Sequence, residues 1–496
     1  MGIIQSQSIK GTLYSYIGVL LGFVTTGLLY PFVLEPEQIG VTKLLLSYST
    51  LATQLASLGF NGVAVRLFPY FRDKKTAHKG FLYLGLLISA IGLLITFVGL
   101  FLMQPWIISK SIEKSALFTE YFSWIYLLII TQLIFSTLDN YFTQLFNSTY
   151  AIIHKEFVQR ILLIIITLLF WFDWINFSQY IMLFVIAVSI PTLLLTYNIY
   201  KAGELRINPT LKYIDKDLMN QVVKVSLISI FTSVTSVIIL NIDSIMLSTI
   251  AGVAATGIYT INYFFAILIS VPNRPMVKIA NAVIADSWMK NDLNNIRDIY
   301  KKSTLSQMVA GSFLLLGLFI NIDSIYQYLP KNYETGKYVL IFIGISSWME
   351  MATGVSKSVI GSSKYYYVQS IAMVGLALMV IGTNYLFIPK YGLSGAAFAS
   401  FLSLFSFISF RYFFIWYKFK MQPFDIKSLY ITLLMLVLLY LSQFLPMTNR
   451  YYVDIPYKSA IVSIVYIGII YLSKVSPEIN TVADSVLKVI FRRNHE

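Results

Sequence analysis

The side chains in this chain that could do chemistry are few, and those that stand out lie inside long apolar runs. Lys43, Ser47, Thr50, Gln54, Ser57 and Asn61 recur at spacings of four, three, four, three and four residues, which puts them on one face of a helix. Such a stripe has no place against hydrocarbon, so it must line a wet cavity or hydrogen-bond to neighbouring helices. Ser346, Glu350, Thr353 and Lys357 make a second face, with Glu350 near the middle of its apolar stretch. A charge at that depth costs roughly 2.5 to 3.5 kcal/mol on insertion scales. A protonatable acid there suits coupling to a proton or binding of a cation, and the alternative is a structural pair with Lys357 or with another helix. Asp243 continues a looser face of Ser229, Ser233 and Ser236, and Asp139 with Asn140 extends Gln132 and Ser136. For these two acids packing between helices is the simpler reading. Arg66, near the end of the first stripe, reads either as a cavity cation or as a snorkelling anchor.

Enzyme signatures are poor throughout. The chain has no GxSxG, no phosphate-binding loop, no His-rich cluster and no paired intramembrane aspartates. With no Cys, and with His78, His154 and His495 as its only histidines, it offers no thiolate nucleophile and no plausible protein-held transition metal or haem, so no cofactor is expected. One enzyme pattern is left, Glu35 and Glu37 in the first loop. It resembles polytopic glycosyltransferases that use polyprenyl-phosphate sugars, but the sizeable outward loop such enzymes need for the acceptor is missing.

The elements that must position these residues follow from composition. Of 496 residues, 57% are hydrophobic and 12% charged, which excludes a soluble globular protein and implies an all-α, polytopic membrane protein. A window of about 19 residues places spans near 10–33, 41–63, 80–104, 119–142, 159–176, 179–200, 224–248, 255–275, 304–326, 338–359, 367–388, 393–416, 427–445 and 458–474, about fourteen in all. Alternate connections collect about 29 of the basic residues against about 8 on the other side, so both termini are expected in the cytoplasm. The net charge of +14 is mostly this topology signal, and nucleic-acid binding is not expected. The stretch VKIANAVIADSWMKNDLNNIRDIYKKS carries apolar residues at helical spacing. It reads as a surface helix along the inner interface or as a solvated linker helix. Gly40 and Gly257 sit alike in EPEQIGVTKLLLS and GVAATGIYTINYF, hinting at a parallel repeat of two six-helix bundles, 1–205 and 206–420, with two further helices in 421–496.

Four pieces carry a resemblance: EPEQIGVTKL followed by LASLGFNGVAVRLFPYF, NIDSIMLSTIAGVAATGIYTINYFF, PMVKIANAVIADSWMKNDLNNIRDIYKK, and IPKYGLSGAAFAS. In this order the chain resembles the multidrug/oligosaccharidyl-lipid/polysaccharide (MOP) exporter superfamily, specifically the flippases of polysaccharide biosynthesis. The resemblance implies two six-helix bundles around a central cavity, a groove for a polyprenyl tail at the last two helices, and exchange between inward-open and outward-open forms. It implies a polyprenyl-diphosphate-linked oligosaccharide as substrate, an inner cytoplasmic membrane location, and polysaccharide polymerase and glycosyltransferases as partners, with membrane lipids around it. Cations of such cavities meet the diphosphate, a role that would fit Lys43, Arg66 or Arg274. The multidrug and toxin extruders, the sister branch, rely on an acid in the first helix, and residues 10–33 contain no Asp or Glu.

Overall fold

The computed structural model describes residues 2–112, 115–207, 214–448, 450–476, 480–481 and 484. Lys114, Lys212, Lys488, Arg492 and Arg493 of the charge asymmetry, and most of the C-terminal tail, lie outside the described residues. Among the described residues there is no strand. The apolar runs fold as helices because a bilayer gives their backbone amides no other partner.

Two compact units emerge, Met1–Ile261 with Ile388–Gly392, and Asn262–Phe387 with Leu393–Glu496. In the first, α1 (Gly2–Gly22) runs through a π-helical stretch, Phe23–Leu29, into α2 (Tyr30–Val33). Pro36 opens α3 (Pro36–Ala56), where Gln38 Oε1 accepts the Glu35 amide at 3.0 Å and satisfies one of the donors a helix start leaves orphaned. Next come α4 (Phe60–Phe71), α5 (Phe81–Ile112), α6 (Ala116–Tyr121) and α7 (Trp124–Gln144). The short α8 (Thr149–Ile153) passes through a π-helical turn, His154–Val158, into α9 (Gln159–Trp171). Asn176 caps α10 (Phe177–Lys201) by accepting the Gln179 amide at 2.9 Å, and Asp215 caps α11 (Lys216–Ala251) by accepting the Leu218 amide at 2.7 Å. Most of α12 (Val253–Ile267) completes this unit. The second unit holds α13 (Asn273–Met289), α14 (Leu293–Ile320), α15 (Ile322–Tyr328), α16 (Lys337–Ala352), α17 (Ser356–Gly361), α18 (Tyr366–Phe419), α19 (Ile426–Ser442) and α20 (Tyr451–Ser473).

Nine helices among the described residues are long and apolar enough to cross a membrane. One of these, α18, is two spans joined at Gly392 (φ 54°, ψ −126°), and α19 is a shorter apolar helix. Two more expected spans are interrupted, α3 with α4 and α16 with α17, and the expected span 159–176 is α9, which the helical turns α8 and His154–Val158 precede. Counted this way the helices correspond one for one to the fourteen hydropathy segments. Apolar side chains such as Leu94, Phe101 and Leu102 of α5 face outward, while Ser47, Ser49 and Thr53 of α3 are buried. That is the distribution a lipid solvent imposes.

The expected single helix over 41–63 is not continuous. It breaks at Ser57–Gly59, where Leu58 (φ 44°) and Gly59 (φ 76°) turn left-handed. Gly59 also lies so close to α11 that a Cβ would collide with the Ser226 carbonyl, and only glycine meets both demands. Below the break Phe60, Phe68, Phe71, Phe81 and Tyr141 build the core of the first unit. Phe81 sits 5.2 Å from Phe60 and 5.0 Å from Phe71, ring centroid to ring centroid. In the second unit α14 packs on α13, α16, α19 and α20, with Leu315, Leu316, Met351, Ile431 and Tyr466 in the core.

Gly40 and Gly257, read from sequence as counterparts in a repeat, pack against one another. A Cβ on Gly257 would strike the Pro36 carbonyl and come within 3.1 Å of the Gly40 amide, and a Cβ on Gly40 would strike the Val253 carbonyl. The close approach holds α12 against the start of α3. Gly257→Val should therefore lower the unfolding midpoint of the purified protein, in keeping with an overpacking penalty of about 1 to 3 kcal/mol. Gly99→Val on α5, where a Cβ would meet nothing within 4 Å, should leave it unchanged.

Candidate transport site

The polar face of α3 divides by partner. Lys43 Nζ donates to Asn241 Oδ1 of α11 at 3.3 Å, close enough to Asp243 for their charges to attract. Asp243 is itself buried and accepts the Tyr259 hydroxyl at 3.0 Å. Thr50 Oγ1 donates to Gln132 Oε1 of α7 at 3.3 Å, and Gln132 Nε2 donates to Ser49 Oγ at 3.0 Å. Ser57 turns back onto the Gln54 carbonyl at 2.8 Å. Beyond the break, Asn61 Oδ1 accepts from Ser136 at 3.2 Å and Asn140 at 2.9 Å. Interhelical hydrogen bonding thus accounts for Thr50 and Asn61, and local capping for Ser57. Ser47 Oγ and Gln54 Oε1 are shut from solvent and have no hydrogen-bond partner among the described residues.

Asp139 accepts the Thr143 hydroxyl at 3.2 Å and feels the charge of Lys155, whose ammonium stands 5.2 Å from the Phe135 ring centroid. The helical register that groups Asp139 with α7 gives no hint of Lys155, which arrives from the turn before α9. Arg66 on α4 and Arg274 on α13 are both exposed, and neither forms an ion pair among the described residues. Glu35 and Glu37 both serve the start of α3. The Glu35 amide is held by Gln38, and Glu37 Oε1 accepts Ser115 Oγ at 2.6 Å. Outside the spans, Asp73 accepts the Thr76 hydroxyl at 2.9 Å and the Lys75 amide at 3.0 Å, which hold its carboxyl below the usual value. In the same loop His78 Nε2 and Glu204 Oε2 are 3.2 Å apart.

In the second unit Glu350 joins two cations. Lys357 Nζ is 2.7 Å from Oε1, and the guanidinium of Arg411 reaches Oε2 at 2.7 Å and Oε1 at 3.4 Å. Arg411 is fully buried, with Phe407 stacked 4.9 Å away, whereas Lys357 is half exposed. The pairing with Lys357 was legible as an i, i+7 relation on one face. Arg411 was not, because positive charge near a span end reads as topology. The available signal was its place inside the apolar segment 393–416.

Beside this cluster the second unit has an open-sided cavity of about 400 Å³. Met308, Trp348, Ile408 and Leu429 line it, and Asp425 and Ser428 supply polar groups at the N-terminus of α19. On α13, Ala280, Ile284 and Ser287 are buried while Ile279, Val283 and Met289 are exposed. The expected surface helix therefore packs one face and leaves apolar residues on another.

The sequence model described as polysaccharide biosynthesis protein matches residues 8–281, more than half of the chain. The chain belongs to this polysaccharide biosynthesis family. Among solved structures, the lipid II flippase MurJ in an inward closed conformation covers 94% of this chain and 99% of its own, with TM-score 0.73 and 14% identity. An inward-facing MATE family multidrug resistance transporter of the MOP superfamily covers 83% and 97%, with TM-score 0.60 and 12% identity. The outward-facing form covers 84% and 95%, with TM-score 0.53. Comparison with curated proteins gives no match. At these identities the structures establish a shared fold, that of the MurJ flippase and the MATE transporters, and with the family they make this chain a multi-pass membrane protein.

Because Glu350 neutralises a fully buried guanidinium, Glu350→Gln should destabilise this protein by about 3 to 5 kcal/mol, the range for breaking one side of a buried pair. The double variant Glu350→Gln/Arg411→Met should recover much of that loss. Unfolding midpoints of the two variants check this, and additive losses would mean the pair is uncoupled.

Proposed function

We propose that this transporter is a non-enzymatic flippase, carrying polyprenyl-diphosphate-linked oligosaccharide from the cytoplasmic to the outer leaflet for surface polysaccharide synthesis. The observation that carries the reading is the family match over residues 8–281, a segment that includes the whole polar face of α3. A sugar head group needs many hydrogen-bonding partners held away from hydrocarbon, and Ser47 Oγ and Gln54 Oε1 are polar atoms not yet engaged. Lys43, Arg66 and Arg274 would meet the diphosphate. The apolar cavity bordered by α19 has a lining suited to part of an isoprenoid chain, which would otherwise stay in the bilayer.

In this reading the two six-helix bundles, 1–205 and 206–420, exchange inward-open and outward-open forms about the bound head group, with 421–496 appended. The protein sits in an inner cytoplasmic membrane with both termini cytoplasmic, and receives its substrate from glycosyltransferases before a polysaccharide polymerase uses it. Asp139 and Asp243 serve packing and electrostatics within the first unit. Glu350 remains a candidate for ion coupling, but two bound cations favour its charged form, so a coupling role requires that one of them leave.

The likeness to multidrug transporters keeps export of organic cations as the second reading. The absence of any acid in residues 10–33 stands against it. A glycosyltransferase reading has less support still, since the Glu37 carboxylate is already engaged by the Ser115 hydroxyl.

The test is the leaflet location of polyprenyl-linked saccharides in cells with and without the gene, read with an impermeant glycan-modifying reagent. Deletion should strand the saccharide on the inner leaflet, and Lys43→Ala/Gln54→Ala should slow its appearance outside by about tenfold or more, as expected if even one hydrogen bond to a charged group is lost. Unchanged exposure after deletion would overturn the flippase reading, and cationic dye efflux would then be measured.

A further inference from the structure

The two ends of α18 meet. The helix folds back at Gly392, so Lys364, just before its first turn, comes beside Lys418 and Lys420 at its last. Lys364 Nζ stands 5.3 Å from the centroid of the Tyr365 ring, and Lys418 Nζ stands 5.8 Å from the same ring. Lys418 and Lys420 share the Tyr417 ring at 5.3 and 5.4 Å. Two ammonium groups over one ring are therefore no more than about 11 Å apart, the sum of their two distances.

All three lysines are exposed, and among the described residues none has a carboxylate within ion-pair distance. Other lysines of the same unit do. Lys290, Lys301 and Lys357 hold the carboxylates of Asp286, Asp425 and Glu350 at 2.7, 3.8 and 2.7 Å. The C-terminus of α18 offers Lys418 and Lys420 only about half a negative charge, and the faces of two tyrosine rings attract weakly at an exposed site. Positive charge is left uncompensated.

The platform under these lysines is held by three elements. Tyr365 packs against Phe414 and Phe419, with ring centroids 5.8 and 5.9 Å away. Phe419 lies 5.0 Å from Trp288 of α13, whose indole donates to the Val359 carbonyl of α17 at 3.1 Å. Around the lysines Tyr366, Tyr367, Trp416 and Tyr417 are exposed. Rings with one apolar and one polar end, placed where a span finishes, belong at the level of the lipid headgroups. An anion at that level is one the bilayer itself supplies, and lysines receive a phosphate as point charges from many directions.

We propose that the meeting point of the two ends of α18 is a binding site for an anionic phospholipid of the surrounding bilayer. Its phosphate and acidic headgroup sit among Lys364, Lys418 and Lys420, and its glycerol region lies against Trp416 and Tyr417. The lipid neutralises charges that would otherwise push the two ends of the folded-back helix apart. This site stands whatever the protein transports.

The test uses the full chain in nonionic detergent micelles, with phosphatidylglycerol as the anionic probe and phosphatidylcholine as the zwitterionic one. Lipids retained on the protein are counted by native mass spectrometry over a titration. Phosphatidylglycerol should bind about tenfold or more tightly than phosphatidylcholine. Lys364→Gln/Lys418→Gln/Lys420→Gln should weaken phosphatidylglycerol on the order of a hundredfold, at about fivefold for each lysine lost beside an anionic headgroup. Lys201→Gln/Lys216→Gln/Lys224→Gln, which removes the same charge from exposed positions of the first unit, should leave its binding unchanged. Equal retention of the two lipids by the wild type would overturn the proposal before any variant is made. A preference that the first triple variant keeps in full would overturn it, as would equal weakening by both triple variants, which would mark a general effect of net charge. Inorganic phosphate that displaces phosphatidylglycerol at millimolar concentration would mark a free-anion site and overturn the assignment to a lipid.

Discussion

A carboxylate and a guanidinium inside a bilayer must find one another, and Glu350 and Arg411 do so at 2.7 Å from positions 61 residues apart in the chain. Much of the second unit is arranged around that necessity. Arg411 is fully buried, so α18 can reach its place only if α16 brings the acid to meet it. Breaking such a pair exposes a buried charge to a medium that cannot solvate it, which is why pairs of this kind resist change more than their net contribution to stability would suggest. Lys357, half exposed, adds a second cation that water can partly solvate.

The same solvent constraint governs the interrupted helices. A free backbone amide or carbonyl is costly in hydrocarbon, so a span can break only where protein or trapped polar groups surround the break. At Ser57–Gly59 the turn is closed by its own hydroxyl, with Ser57 on the Gln54 carbonyl, and by α11 pressed against Gly59. At Thr353–Val355 it is closed by Thr353 on the Glu350 carbonyl and by α14. Both breaks fall beside the polar side chains that stand out in the sequence. Discontinuous helices in transporters commonly mark binding sites, and these two give each unit a polar centre of its own.

The two units differ in what they offer a ligand. The first presents hydroxyls, amides and a lysine along α3, tied to α7 and α11 by hydrogen bonds of 3.0 to 3.3 Å. The second presents an apolar cavity at the N-terminal end of α19.

Hydropathy alone determined the class of this protein and the number and order of its spans, because each crossing needs about 20 apolar residues whatever its neighbours are. Periodicity alone groups Lys43 and Thr50 on one face of a helix, because side chains three and four residues apart share a face. What periodicity could not see was the break at Ser57–Gly59, which depends on α11 approaching Gly59 closely. Nor could it tell which polar residues bond to another helix and which remain unengaged, as Thr50 and Ser47 illustrate from the same face. Gly40 and Gly257 looked like echoes of a repeat, and only packing revealed that each makes room for the other's helix. Arg411 was hidden for the same reason. A sequence records where a charge lies along the chain, and the partner that makes it tolerable is chosen by the packing of helices distant in sequence.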